Sequence, residues 1–208
     1  MVQHRQPAIF IADSLGLDFL NSIATPVDTP IDWLDSGDGL LRWLAQAKLA
    51  PADALNELKA RAMPGELDNV ADQARALREW FRGFVHKQMG SPLAPKALRE
   101  LEPLNRLLER DEAFSQILRH RHNGGDRLEL QMVRRWRSPE SLLLPIGEAL
   151  AKFVCEVDFT NVKACEGRSC TLLFADHSRR GARRWCSMAI CGNRAKQAAH
   201  RGRLRNKR

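Results

Sequence analysis

The chain has 208 residues, 44% of them hydrophobic, with 33 Lys and Arg against 25 Asp and Glu for a net charge of +8. That hydrophobic share supplies a core for one large domain, or for one domain with a small appendage, and excludes a disordered or low-complexity protein. No apolar run approaches the roughly 18 residues that a membrane helix needs, and the first residues lack the basic-then-apolar order of a secretory leader. The expectation is therefore a cytoplasmic protein, without a membrane partner, whose cysteines stay reduced and serve as metal ligands or thiols.

The charge is unevenly placed. Residues 163–208 hold 13 Lys and Arg against two acids, Glu166 and Asp176, a balance of +11 that leaves −3 for residues 1–162. A mildly acidic body with a strongly basic end is the pattern of a polyanion-binding appendage. A solvated face with a frayed basic tail has the same balance, so charge alone does not choose.

In chain order, residues 1–6 read as disordered and Ala8–Ala12 as a short strand. In Leu17-Asp18-Phe19-Leu20-Asn21-Ser22 a carboxylate and an amide sit inside an apolar run, and once buried they must find hydrogen-bond partners. Asp18 and Asn21 are then either internal caps, the commoner case, or the polar groups of a ligand pocket. Pro26, Pro30, Gly37 and Gly39 mark a loop onto which Trp33 and Leu34 tuck. Leu40, Leu41, Leu44 and Ala47 give a helical stripe, and Pro51 opens a second helix with Leu55, Leu58 and Ala62 inward. The clearest periodicity, Val70, Ala74, Leu77, Phe81, Phe84 and Val85, predicts a helix over 68–89.

Pro95 starts a further helix that Pro103 should kink, and Asp111 caps a short one holding Phe114, Ile117 and Leu118. After the turn signal at Asn123-Gly124-Gly125-Asp126, Leu128–Val133 alternates as a strand that could pair with Ala8–Ala12. Ser138-Pro139 then introduces a helix over Leu142–Val157, with Cys155 on its apolar side and Pro145 as a kink or late start, leading from the body to the cysteines.

Those cysteines form two pairs of equal internal spacing, Cys165/Cys170 and Cys186/Cys191, the outline of a closed four-thiolate zinc site. One structural Zn2+ is expected, with no open position for substrate, and its binding would supply the folding free energy of a unit with little to bury. A strand at Thr171–Phe174, a polar turn over 176–182 and a returning strand at Arg183-Arg184-Trp185 are expected between the pairs, then a helix from Gly192. The fold class expected is a mainly α body with a small β element, followed by a treble-clef-like finger of β-hairpin plus helix.

Leu173-Phe174-Ala175-Asp176, Arg183-Arg184-Trp185-Cys186-Ser187-Met188 and Cys191-Gly192-Asn193-Arg194 together resemble the CGNR zinc finger, over roughly 35 residues. The Leu17–Ser22 motif resembles the ABATE-type domain that precedes this finger in bacterial stress-induced transcription regulators, although Ser22 stands where that motif has Thr. The resemblance implies DNA binding and a division into residues 1–158, a helical sensing or dimerisation unit, and 159–208, the finger and its basic tail. Arg179, Arg180, Arg183, Arg184, Lys196, Arg201 and Arg203 are the candidate nucleic-acid contacts, since each can neutralise phosphate and Arg can also read guanine. Asp176, Trp185, Asn193 and Arg194 are candidates for support of the site: Trp185 as the finger's small core or a stacking group, Asn193 as a cap or sulfur donor. Arg194 is placed equally well on phosphate or on Asp176.

The first reading is thus a zinc-dependent DNA-binding transcription regulator, with a small-molecule effector and a homodimer as further expectations. The alternative is a zinc-stabilised protein-interaction or RNA-binding module without sequence-specific DNA recognition. An enzyme is not expected: there is no glycine-rich phosphate loop, no triad motif and no open metal position, and the histidines lie on predicted helices or a helix end.

Overall fold

The computed structural model describes residues 6–25, 29–122 and 125–205. The readings made at residues 1–5, Pro26 and Asn123-Gly124 lie outside the described residues. The body begins with α1 (Leu15–Leu20), a short pair β1 (Ile23–Ala24) and β2 (Ile31–Asp32), α2 (Gly37–Gln46), α3 (Ala52–Arg61) and α4 (Glu66–Gln88). It continues through a 3-10 turn into α5 (Glu102–Leu108), the long hairpin β3 (Ala113–His122) and β4 (Gly125–Arg134), and α6 (Leu144–Glu156). The C-terminal part holds β5 (Val162–Ala164), β6 (Leu173–Ala175) and α7 (Asn193–Arg205).

α4 forms because Val70, Ala74, Phe81, Phe84 and Val85 recur at helical spacing and are all buried. Acids stand in its first turn and His86 and Lys87 in its last, which complements the helix dipole. Its aromatic face meets α6 and the turn after it: Phe81 lies 5.9 Å from Phe153, and Phe84 6.1 Å from Phe159, ring centre to ring centre. Pro103 and Pro145 kink nothing, because each sits at the start of a new helix after a 3-10 turn, where its missing N–H is not needed.

Arg78, on the same helix, is buried at 2% exposure and was not singled out from sequence. Its Nη1 and Nη2 donate to the two carboxylate oxygens of Asp32 at 2.9 and 2.8 Å, Nη1 donates also to Ser22 Oγ at 3.0 Å, and Nε to Glu79 at 2.9 Å. Burial by itself would push Arg78 down and Asp32 up in pKa, but their bonds to each other reverse both shifts, so the pair stays ionised. The bidentate fork ties β2 and the end of the Leu17–Ser22 motif to the longest helix.

Three local readings are corrected. Ala8–Ala12 is not a strand: its amides at Ile11 and Ala12 both donate to Asp18 Oδ1 at 3.0 Å, so a side chain takes the donors a neighbouring strand would have used. Residues 113–118 are not a helix but half of β3, which pairs with β4 in place of Ala8–Ala12, Phe114 facing Val133 and Ile117 facing Leu130. Cross-strand pairing of β-branched and aromatic residues outweighs the local helical spacing there. Cys155 is exposed, on the far side of α6 from Phe153.

Candidate metal centre and nucleic-acid interface

β5 and β6 are antiparallel, Val162 opposite Ala175 and Ala164 opposite Leu173, so the first cysteine pair occupies the turn of this hairpin. The expected returning strand at 183–185 does not form. Arg183 N donates instead to the Asp176 carboxylate, and Arg184 O accepts from Glu166 N. Within the turn, Cys170 N donates to Gly167 O, and a Cβ on Gly167 would come within 2.8 Å of Cys191 Sγ and 3.0 Å of Cys170 Cβ. Glycine is required there because sulfur occupies the space of its missing side chain.

The second pair is set by Ser187. Its Oγ accepts from Ile190 N at 3.0 Å and its carbonyl from both Cys191 N and Gly192 N, closing a wide turn over Met188–Gly192 that leads into α7. A Cβ on Gly192 would come within 2.5 Å of Met188 Sδ, so a larger residue in the Cys-Gly-Asn-Arg motif would displace that exposed side chain.

The sulfurs of Cys165, Cys170, Cys186 and Cys191 all lie within 4.8 Å of one another, with Cys170 to Cys186 at 3.8 Å and Cys186 to Cys191 at 3.6 Å. Zinc bonds of about 2.3 Å at tetrahedral angles set sulfurs about 3.8 Å apart, so the cluster has the size zinc requires. Gly167 N and Cys186 N both point at Cys165 Sγ, at 3.4 and 3.2 Å, as amides do around metal thiolates. Four adjacent thiols cannot all ionise unaided. The bond from Cys186 draws Cys170 down to about 5, while Cys170 in turn pushes Cys186 far up and burial lifts Cys191 to about 12. A divalent cation removes that conflict by holding all four as thiolates. The set fits one structural zinc ion, with all four positions filled by protein.

Asp176 organises the loop that follows. Its buried carboxylate accepts from Lys163 Nζ at 2.7 Å, Ser178 N and Oγ at 2.9 and 2.6 Å, and Arg183 N at 2.9 Å. Lys163 first, then Ser178, hold it well below the usual carboxylate range despite its burial. Lys163 also donates to Gly181 O at 2.5 Å, so the turn over 177–182 is clamped at both ends and lifts Arg179 and Arg180 into solvent. Neither Lys163 nor Ser178 was picked from sequence; the signal was Asp176-His177-Ser178, an Asp two residues before a donor, which favours this turn.

The candidate cations separate into two groups. Arg183 is turned inward: its guanidinium lies 4.2 Å from the Phe174 ring centre and donates to Trp185 O at 3.1 Å, Ala175 O at 3.3 Å, Ile11 O at 3.0 Å, Asp13 at 2.5 Å, and Cys186 O. It straps the finger to the N-terminal segment. Every donor direction of its fork is already used within the protein. Arg179, Arg180, Lys196, Arg201 and Arg203 are exposed, as is Arg184, which pairs with Glu166 at 2.6 Å and sits 5.2 Å from the Trp185 ring centre. Trp185 is half-buried near Gly192, Asn193 is exposed in the first turn of α7, and Arg194 lines a hollow of about 590 Å³ with Arg168, Arg201 and Cys170.

Asp18 and Asn21 are both buried and hold backbone groups. Asp18 caps Ile11 and Ala12, while Asn21 Nδ2 donates to Leu173 O at 2.8 Å and its Oδ1 accepts from Leu173 N at 2.9 Å. Asn21 therefore completes the outer edge of β6 and fastens the finger hairpin to α1. Burial lifts the Asp18 carboxyl to about 6, against the pull of its two amide donors. Because this folded value exceeds the unfolded one, the proton favours the fold. The contribution is full below about pH 4 and is lost as pH rises through 6, by up to about 3 kcal/mol. Asp18→Asn keeps the Oδ1 acceptor and removes the titration. In urea melts at saturating zinc, its stability relative to the wild type should climb between pH 4 and 7; parallel pH curves for the two proteins would refute the burial argument.

Two family models match the chain. That of ABATE, described as "Putative stress-induced transcription regulator", covers residues 13–157, and that of the CGNR zinc finger covers residues 161–204. No curated protein matches it.

Proposed function

The chain belongs to the ABATE family and carries a CGNR zinc finger over residues 161–204, and from that premise we propose that it is a transcription regulator that binds DNA through the zinc-held basic surface of residues 159–208. The observation that carries this reading is α7. Asn193–Arg205 holds Arg194, Lys196, Arg201, Arg203 and Arg205 and no acid, and from Asn193 to Arg201 every residue is exposed except Ala195, which is partly buried. A helix without an apolar face is not held by burial, and five like charges repel along it. Alongside a row of phosphates the same charges become attractive. Zinc anchors the start of this helix, and the Asp176–Lys163 clamp fixes the loop that carries Arg179 and Arg180, so the base of the helix and the loop are preorganised.

On this reading Arg179, Arg180, Lys196, Arg201 and Arg203 make the contacts, Arg194 and Arg184 flank them, and Asp176, Arg183 and Trp185 support them. Residues 1–158 form the unit that senses an effector or pairs two copies. No described helix is long and apolar enough to cross a membrane.

The test is binding to the promoter of the protein's own gene, to random duplex, to RNA and to heparin across a salt series. Preference for the promoter, with affinity falling steeply in salt, is expected. Arg179→Ala with Arg180→Ala should leave zinc content unchanged and reduce the log–log salt slope by about 1.8, from two phosphate contacts at about 0.9 each. Equal affinity for all four polyanions would exclude sequence-specific regulation, and an unaltered slope would move the interface off this loop.

A further inference from the structure

The β3–β4 hairpin has two unlike faces. On the one turned to the body, Leu118, Glu129, Gln131 and Val133 are partly buried. On the other, Ile117, Leu128, Leu130 and Met132 are 67%, 72%, 72% and 70% exposed. The register makes these four neighbours: Ile117 is opposite Leu130, with Leu128 and Met132 two residues to either side on the same strand. Four aliphatic side chains in one block amount to roughly 400 Å² of contiguous apolar surface, the size of the largest patch on a monomer, which is often a contact site. A two-stranded ribbon of this length is marginal by itself.

We propose that this face is where two copies of the chain meet, hairpin stacked on hairpin about a two-fold axis. The placement of the patch selects a second copy. The ladder runs from Ala113–Arg134 to His122–Gly125, and the Ile117–Leu130 pair lies beside its midpoint. A two-fold axis there returns the apolar block onto itself. Charge fixes the direction. On this face the tip carries Arg119 and Arg121 against one acid, Asp126, which lies 3.3 Å from Arg119. Tip on tip would oppose like charges. The antiparallel stack puts each tip over the base of the other hairpin, where Asp111 and Glu148 hold Arg134 and Glu112 holds Arg135 and Arg137, a balanced set. About 400 Å² per copy is half of what a standard interface uses, so the dimer is a weak one whose population depends on concentration.

This inference is independent of the nucleic-acid reading, and its test contains no DNA. Sedimentation of the zinc-loaded full chain over a concentration series should reveal a reversible monomer–dimer equilibrium. Leu130→Glu should weaken it by about tenfold or more while far-UV circular dichroism and zinc content stay unchanged. In a Cys155→Ser background, Leu130→Cys should yield an oxidised dimer and Gln116→Cys, on the opposite face, should not. That pair needs no loss of stability to be read. A monomer at every concentration would overturn the proposal and leave the face to a different partner; so would a dimer untouched by Leu130→Glu, or equal cross-linking from both cysteine positions.

Discussion

Cys191→Ser should abolish stoichiometric zinc and, on the proposed function, reduce DNA affinity to that of a detached basic peptide. Cys191 is buried, its sulfur lies 3.6 Å from that of Cys186, and it stands at the junction of the closing turn and α7. A serine hydroxyl is a far poorer zinc ligand than a thiolate, and zinc supplies on the order of 10 kcal/mol to structural sites. With the ion lost, the turn over Met188–Gly192 has no fixed end and the exposed, self-repelling α7 has nothing to nucleate it. Metal analysis and DNA titration read the two effects together. The helices of the body should persist in far-UV circular dichroism, but at a lower melting temperature, because the bonds of Asn21 and Arg183 to the finger loosen with it. Full retention of zinc would overturn the four-thiolate assignment, and loss of all helical signal would make the finger an integral part of the body.

Arg78→Met should cost about 3–5 kcal/mol, the penalty for breaking a buried ion pair by removing one member. Asp32 would keep its desolvation and lose both charge-assisted bonds, and Ser22 would lose its donor. Arg78→Met with Asp32→Leu should recover part of the loss, because two apolar groups leave no uncompensated charge. Urea melts of the single and double variants check this. A single-variant cost below about 1 kcal/mol would mean that solvent reaches Asp32 and that the fork is ornamental. Zinc content should be the same in all three proteins, which separates this effect from that of Cys191→Ser.

The finger was legible because its constraints are local. Four thiolates at fixed spacing and the strongly basic stretch around them can each be recognised without knowing what packs where. The periodicity of Val70–Val85 was legible for the same reason, one stripe of residues being enough to define a buried helical face. The errors fell where a side chain from elsewhere changed what the backbone could do. Asp18 took the donors of Ile11 and Ala12 and stopped a strand; β4 took residues 113–118 out of helix. The role of Asn21 was unreadable because its partner, Leu173, is 152 residues away. Arg183 and Arg184 are adjacent and chemically identical, yet one is spent on Ile11, Asp13 and Cys186 and the other is exposed beside Glu166.

The sequence by itself determined the chemistry: a closed four-cysteine zinc site, a basic end on an acidic body, and a helical body to carry it. The tertiary structure alone decided which cations face solvent, that Asp18 and Asn21 hold backbone, and that the finger hairpin shares a core with α1. The division has a physical reason. Metal ligation and net charge follow from residue type and short spacing, whereas the direction of a side chain and the partner of a buried polar group depend on which distant segments meet.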